Sequence, residues 1–128
     1  MLNISQTMHT SYIIVNIYKP PNIQWPQNVL PVYDDPCVYT GDMNCHNTLW
    51  GYNYNDKNGD DLLDWSINNG MELIFDPKDK KSFYSKAHQT ETNPDLCFAS
   101  SSLMNKIKRN IIGDFPRSQH RNIIITIG

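Results

Sequence analysis

Several things are scarce in this chain. Only three of its 128 residues are cysteine, Cys37, Cys45 and Cys97. The count is odd and no pair has a CxxC spacing, so a disulfide framework is not expected. The chain reads as intracellular and reduced. No apolar run approaches the roughly 20 residues that a membrane helix needs, so no membrane partner is expected. The N-terminus lacks the basic-then-apolar order of a secretion signal, and no internal repeat stands out. Basic charge is not in excess either. Lys and Arg number 11 against 13 Asp and Glu, a net charge of −2, which argues against a generally basic nucleic-acid binder.

What is present supports one folded domain or part of one. Leu, Ile, Val and Phe make up 30 of the 128 residues, more than a disordered chain carries. Charge is uneven along the chain. Residues 1–76 hold two Lys and nine acids, whereas residues 77–128 hold nine Lys/Arg and four acids. Solvated faces explain such a split as well as a basic surface for a polyanion does.

Residues 1–11 are polar and unpatterned and are expected to be an unstructured end. Tyr12 to Tyr18 is a β-branched and aromatic run, a buried strand by composition. Pro20, Pro21, Pro26, Pro31 and Pro36 make the next stretch loop, with Trp25, Val29 and Leu30 as its apolar anchors. Cys37 to Thr40 reads as a second strand ending at Gly41. Gly59 to Asn69 is the clearest helix, with Asp60 and Asp61 in its first turn, Leu62, Leu63, Ser66 and Ile67 on one face, and Gly70 as a left-handed cap. Further strands are expected at 73–75, 82–84, 95–99, 107–112 and 123–127. Strands outnumber helices, which predicts an α/β sandwich with a mixed sheet, much of one sheet face being left uncovered.

The chemistry centres on Gly41-Asp42-Met43-Asn44. An acid and an amide two apart at a strand mouth can grip a phosphate or an attacking water, although the same triplet fits an ordinary turn. Asp95 opens a later strand, and His120 precedes the last. If these strand ends share one edge, Asp42 could take a proton from water and Asn44 could hold that water. His120 could then donate to a phosphoryl oxygen, with Asp95 fixing its tautomer. Mg²⁺ would complete such a set through hard oxygen ligands. Cys45 and His46 with Cys37 and Cys97 have poor zinc spacing; His46 could instead face the same cleft.

Five segments occur here in order: Ile17-Tyr18-Lys19-Pro20-Pro21, Gly41-Asp42-Met43-Asn44-Cys45-His46, Leu49-Trp50-Gly51, Asn93-Pro94-Asp95-Leu96-Cys97-Phe98, and Asp114-Phe115-Pro116-Arg117-Ser118-Gln119-His120-Arg121. Together they resemble the endonuclease/exonuclease/phosphatase superfamily, and within it the apurinic-type endonuclease domain of jockey-like non-LTR retrotransposons. The resemblance implies a two-sheet α/β sandwich with its site at the edge between the sheets, and Mg²⁺-dependent cleavage of DNA. It implies catalytic roles for Asp42, Asn44, Asp95 and His120 and substrate contacts for His46, Ser118 and Arg121. The metal would lie at Asp42 and more weakly at Gln119, where many relatives carry an Asp. A reverse transcriptase domain accompanies such domains in the full element, and a DNA-cutting role implies the nucleus. The family fold opens with strands that bear an Asn and a metal-binding Glu, and nothing before Tyr12 matches them. Residues 12–128 are therefore expected to form the C-terminal portion of the sandwich, its N-terminal half missing, with weak or no cleavage by this chain alone. The alternative is a non-catalytic retroelement remnant that binds nucleic acid through residues such as Lys106, Lys108, Arg109, Arg117 and Arg121. A small-phosphoester phosphatase is disfavoured by the retroelement-like segments.

Overall fold

The structure, a computed structural model, describes residues 1–8, 12–85, 87–112 and 119–128. Five strands form a mixed sheet: β1 (Asn3–Met8), β2 (Ile13–Tyr18), β3 (Cys37–Asp42), β4 (Met71–Leu73) and β7 (Asp95–Ser100), in the order β1-β2-β3-β7-β4. β2 and β3 run parallel, and the other neighbours are antiparallel. Two hairpins complete the set, β5 (Phe83–Ser85) with β6 (Thr90–Thr92) and β8 (Ile107–Ile112) with β9 (Asn122–Ile127). Among the described residues no helix is long and apolar enough to cross a membrane.

The helix α1 spans Lys57–Asn68 and starts two residues earlier than its apolar spacing suggests. Asp56 sets that start: its side chain accepts the Gly59 N–H at 2.7 Å, satisfying one of the orphan donors of the first turn. The buried face is Gly59, Leu62, Trp65 and Ser66. Ile67, expected on that face, points to solvent; with Trp65 turned inward, a residue two positions on lies about 200° around the helix.

One face of the sheet is closed by α1 and the proline-rich loop. Ile13, Val15, Ile17, Tyr39 and Phe98 pack there against Trp25, Leu30, Trp50, Leu62 and Trp65. The loop is pinned by indole donors as well as by apolar burial: Trp25 Nε1 donates to the Asn58 carbonyl at 3.0 Å and Trp65 Nε1 to the Leu30 carbonyl at 3.1 Å. Across the other face, Val38, Cys97 and Ala99 meet Leu103 and Ile107, with Ile125 and Ile127 alongside. That cover does not reach β2, whose Asn16 and Tyr18 stay exposed.

The N-terminal end departs from expectation. Asn3–Met8 pairs along its whole length with β2, although every side chain in it is exposed. It is held by backbone pairing rather than by a buried face, so its sequence carries no hydrophobic pattern to read. β4 falls two residues before the apolar run Leu73-Ile74-Phe75, and the run still joins the sheet through the Ile74 N–H to the Cys97 carbonyl at 2.9 Å. β6, in a polar Thr-Glu-Thr stretch, had no sequence signal.

Candidate active site

β2, β3 and β7 bring the first groups together. Gly41 has φ +143°, and a Cβ there would collide with the Ile17 carbonyl; only glycine lets β2 and β3 approach so closely at this level. The next residue, Asp42, is in register with Asp95 on the antiparallel neighbour. Two acids directly opposite each other repel, and the arrangement calls for a cation or a proton between them.

His120 lies at that point. Its Nδ1 is 2.7 Å from Asp95 Oδ2, and its Nε2 is 3.7 Å from Asp42 Oδ2. The imidazole is carried in by main-chain pairing with β5: Tyr84 N–H donates to the Gln119 carbonyl at 2.8 Å and Arg121 N–H to the Ser82 carbonyl at 2.8 Å. Phe83 leans on the ring, with 4.8 Å between centroids. Ligand atoms of Asp42, Asp95 and His120 all lie within 4.8 Å of one another.

Burial pushes the Asp42 carboxyl up to about 6, and the Asp95 charge adds to the shift. His120, the Asn44 backbone N–H and the Lys19 ammonium oppose it. Lys19 is fully buried beneath the strand mouth, its Nζ donating to the Pro20 and Ile23 carbonyls at 3.1 and 2.8 Å and lying 5.6 Å from the Trp25 ring centroid. Its own carbonyl accepts from Asn44 Nδ2 at 2.8 Å. Asn44 sits at φ 41°, a left-handed conformation that Asn tolerates. The turn-like geometry of Asp42-Met43-Asn44 and its place at a site are thus both present.

The donor set suits a hard divalent cation. Asp42 Oδ1 is buried with no hydrogen-bond partner among the described residues, and two carboxylates plus substrate oxygens and waters are the usual protein share of Mg²⁺ coordination. The three cysteines are each buried and free, and among the described residues none of them joins that group.

A family model described as endonuclease-reverse transcriptase matches residues 12–124. The chain belongs to that family. Its fold is that of the endonuclease/exonuclease/phosphatase superfamily. The endonuclease domain of TRAS1, a telomere-specific non-LTR retrotransposon, is similar to it with a TM-score of 0.71 at 15% identity, over 98% of this chain and 63% of that one. The chain thus spans under two thirds of that domain's length, and at this identity the likeness speaks for the fold alone. No curated protein matches the sequence.

Asp42, Asn44, His46 and His120 line one cleft of about 170 Å³, with Tyr52, Phe83, Thr92 and Pro94 as the remaining wall. His46 is fixed there from three sides. Its ring stacks on Tyr52 at 4.2 Å between centroids, its Nδ1 lies 2.6 Å from the Tyr54 hydroxyl, and its main-chain N–H donates to Asp56 Oδ1 at 3.0 Å. Arg121 is turned to the adjoining hairpin, Nη1 being 2.8 Å from Glu91 Oε1 and 2.7 Å from the Lys81 carbonyl. Gln119 is exposed. Ser118 lies outside the described residues. Tyr52, Phe83 and the buried Lys19 were not singled out as site residues from the sequence. Tyr52 and Phe83 carry no polar pattern that marks a cleft wall, and a lysine is ordinarily exposed.

Proposed function

We propose that this chain carries the hydrolytic site of a Mg²⁺-dependent DNA endonuclease of the retrotransposon type. The supporting observation is His120 held between Asp95 and Asp42, three groups from three separate segments meeting at one strand mouth. With Asp95 accepting from Nδ1–H, it is the imidazolium form of His120 that presents an Nε2–H to the phosphate. Asp42 takes the proton of the attacking water, and its raised basicity suits that task. Asn44 orients the water or a phosphate oxygen. As the water's oxygen bonds to phosphorus, the P–O bond opposite it breaks, and His120 stabilises or protonates the oxygen on which charge collects.

A Mg²⁺ ion, held by Asp42 Oδ1 with Gln119 as a weaker neutral donor, would supply Lewis-acid stabilisation of that charge. His46 and Ser118 are proposed substrate contacts, and Arg121 becomes one by exchanging Glu91 Oε1 for a phosphate oxygen; the duplex is the proposed partner. A reverse transcriptase domain in the same element and a nuclear site of action follow from this reading.

A second reading, nucleic-acid binding without cleavage, is favoured by the small donor set: among the described residues only two carboxylates gather with the imidazole. Supercoiled plasmid separates the two. Nicking that needs Mg²⁺, stops with chelator and disappears in Asp95→Asn supports the endonuclease. Folded protein that binds DNA in a salt-sensitive way and never nicks it supports the second reading and sinks the first.

A further inference from the structure

One buried cation takes no part in the reaction as described. Arg109 lies on β8 and is 8% exposed. Its Nη2 donates to the main-chain carbonyl of Asp95 at 2.8 Å. Its Nε and Nη1 are buried and have no hydrogen-bond partner among the described residues. Burying a guanidinium with donors unmatched is costly, and burial pushes its pKa down, with the Cys97 thiol, Asp79 and Asp95 opposing. Packing does not account for the choice. Ile107, two residues earlier on the same strand, fills the equivalent inward position with hydrocarbon.

We propose that Arg109 is a positioning residue for the Asp95–His120 pair, an inference that rests on the endonuclease reading of the site. Asp95 is the first residue of β7, where a strand end has least help from the ladder. Its N–H makes a long bond, 3.3 Å to Ser82 Oγ. The Arg109 bond to its carbonyl fixes the backbone from the hairpin side. The carboxylate then stays at hydrogen-bond distance from Nδ1 while His120 enters from a different segment. One side chain thus ties the hairpin layer to the sheet at the level of the site.

The test uses Arg109→Met and Arg109→Lys in the full chain. Two readouts are followed: the downfield proton resonance of His120 Nδ1–H in the DNA-free protein, and Mg²⁺-dependent nicking with kcat and KM separated. Arg109→Met is expected to lose or broaden the resonance and to lower kcat about 10- to 100-fold, the usual size of an outer-shell effect, with KM within about twofold. Arg109→Lys keeps charge but not the fork and is expected to move the same way by less. A merely structural role would lower the melting temperature and leave both readouts of the folded protein unchanged, and that result overturns the proposal. If Arg109→Met does not fold, the folded Arg109→Lys protein decides by the same two readouts. If wild-type protein never nicks, the endonuclease reading fails, and the resonance alone decides whether Arg109 positions the pair.

Discussion

The carboxylates and the imidazole of the cleft are held by unlike parts of the molecule. Asp42 and Asp95 end neighbouring strands of a sheet whose Tyr39 and Phe98 are fully buried, with the equally buried Trp50 packed in the same core. His120 stands before β9, whose side chains alternate between half-buried and exposed. The acid side is therefore fixed by close packing, which tolerates little change. The imidazole side is fixed by a few hydrogen bonds to β5 and by its contact with Asp95. Changes on the acid side should damage fold and chemistry together, and changes on the imidazole side should damage chemistry alone.

The harshest way to break that contrast is Gly41→Ala. The added methyl meets a backbone carbonyl, so β2 and β3 must separate, and the residue must also hold a φ that alanine rarely adopts. Backbone strain joined to a buried clash belongs to the severe class of substitutions. A destabilisation above about 3 kcal/mol is expected in urea melts, with no nicking by whatever remains folded. A stable, active Gly41→Ala protein would mean that the acid side is not rigid.

His120→Ala probes the other side. The side chain is 38% exposed and little apolar area is lost with it. Stability is expected to stay within about 1 kcal/mol, while nicking falls about 10²- to 10⁴-fold, the range of a lost acid–base group. An equal loss in melting temperature and in rate would erase the distinction between the two sides.

These two predictions rest on features of different legibility. Gly41, Asp42, Asn44, Asp95 and His120 stand in short segments whose order and residue types point to phosphate chemistry, so the groups were readable before their distances were. The register that sets Asp42 against Asp95 was not readable, because pairing depends on tertiary contacts. Buried cations were opaque for a different reason. Lys19 and Arg109 look like surface residues in any composition-based reading; Arg109 was expected on a nucleic-acid-binding surface and lies instead inside, bonded to Asp95. β1 and β6 escaped because edge pairing needs only backbone.

Acidity offers a gentler test of the acid side. The folded-state pKa of Asp42 is raised from 3.8 to about 6, so the native state favours its protonated form. This group's contribution to stability is fully present below about pH 4 and is lost as pH rises through about 6, an effect on the order of 2–3 kcal/mol in metal-free protein. Subtracting the pH–stability curve of Asp42→Asn from that of wild type isolates the contribution. Nicking, which needs the ionised form, is expected to fall on the acid side of the same pH, and saturating Mg²⁺ should move that limb downward by favouring the carboxylate. A difference curve that rises between pH 4 and 6 would show that burial does not govern Asp42.

The smallest expected effect lies farthest from the cleft, at β1. Ile4 is 37% exposed on an edge strand with no buried side chain, so Ile4→Lys removes little apolar contact. Both the melting curve and the nicking rate should change by no more than about 0.5 kcal/mol equivalent. The charge should at the same time discourage strand addition to the open edge, which light scattering at high protein concentration would register as slower aggregation. The substitution also sharpens the contrast between the two sides of the site. β1 pairs with β2, and β2 approaches β3 at Gly41; if disturbing β1 lowered activity, the rigidity of the acid side would depend on the sheet's outer edge rather than on the packed strands β2, β3 and β7.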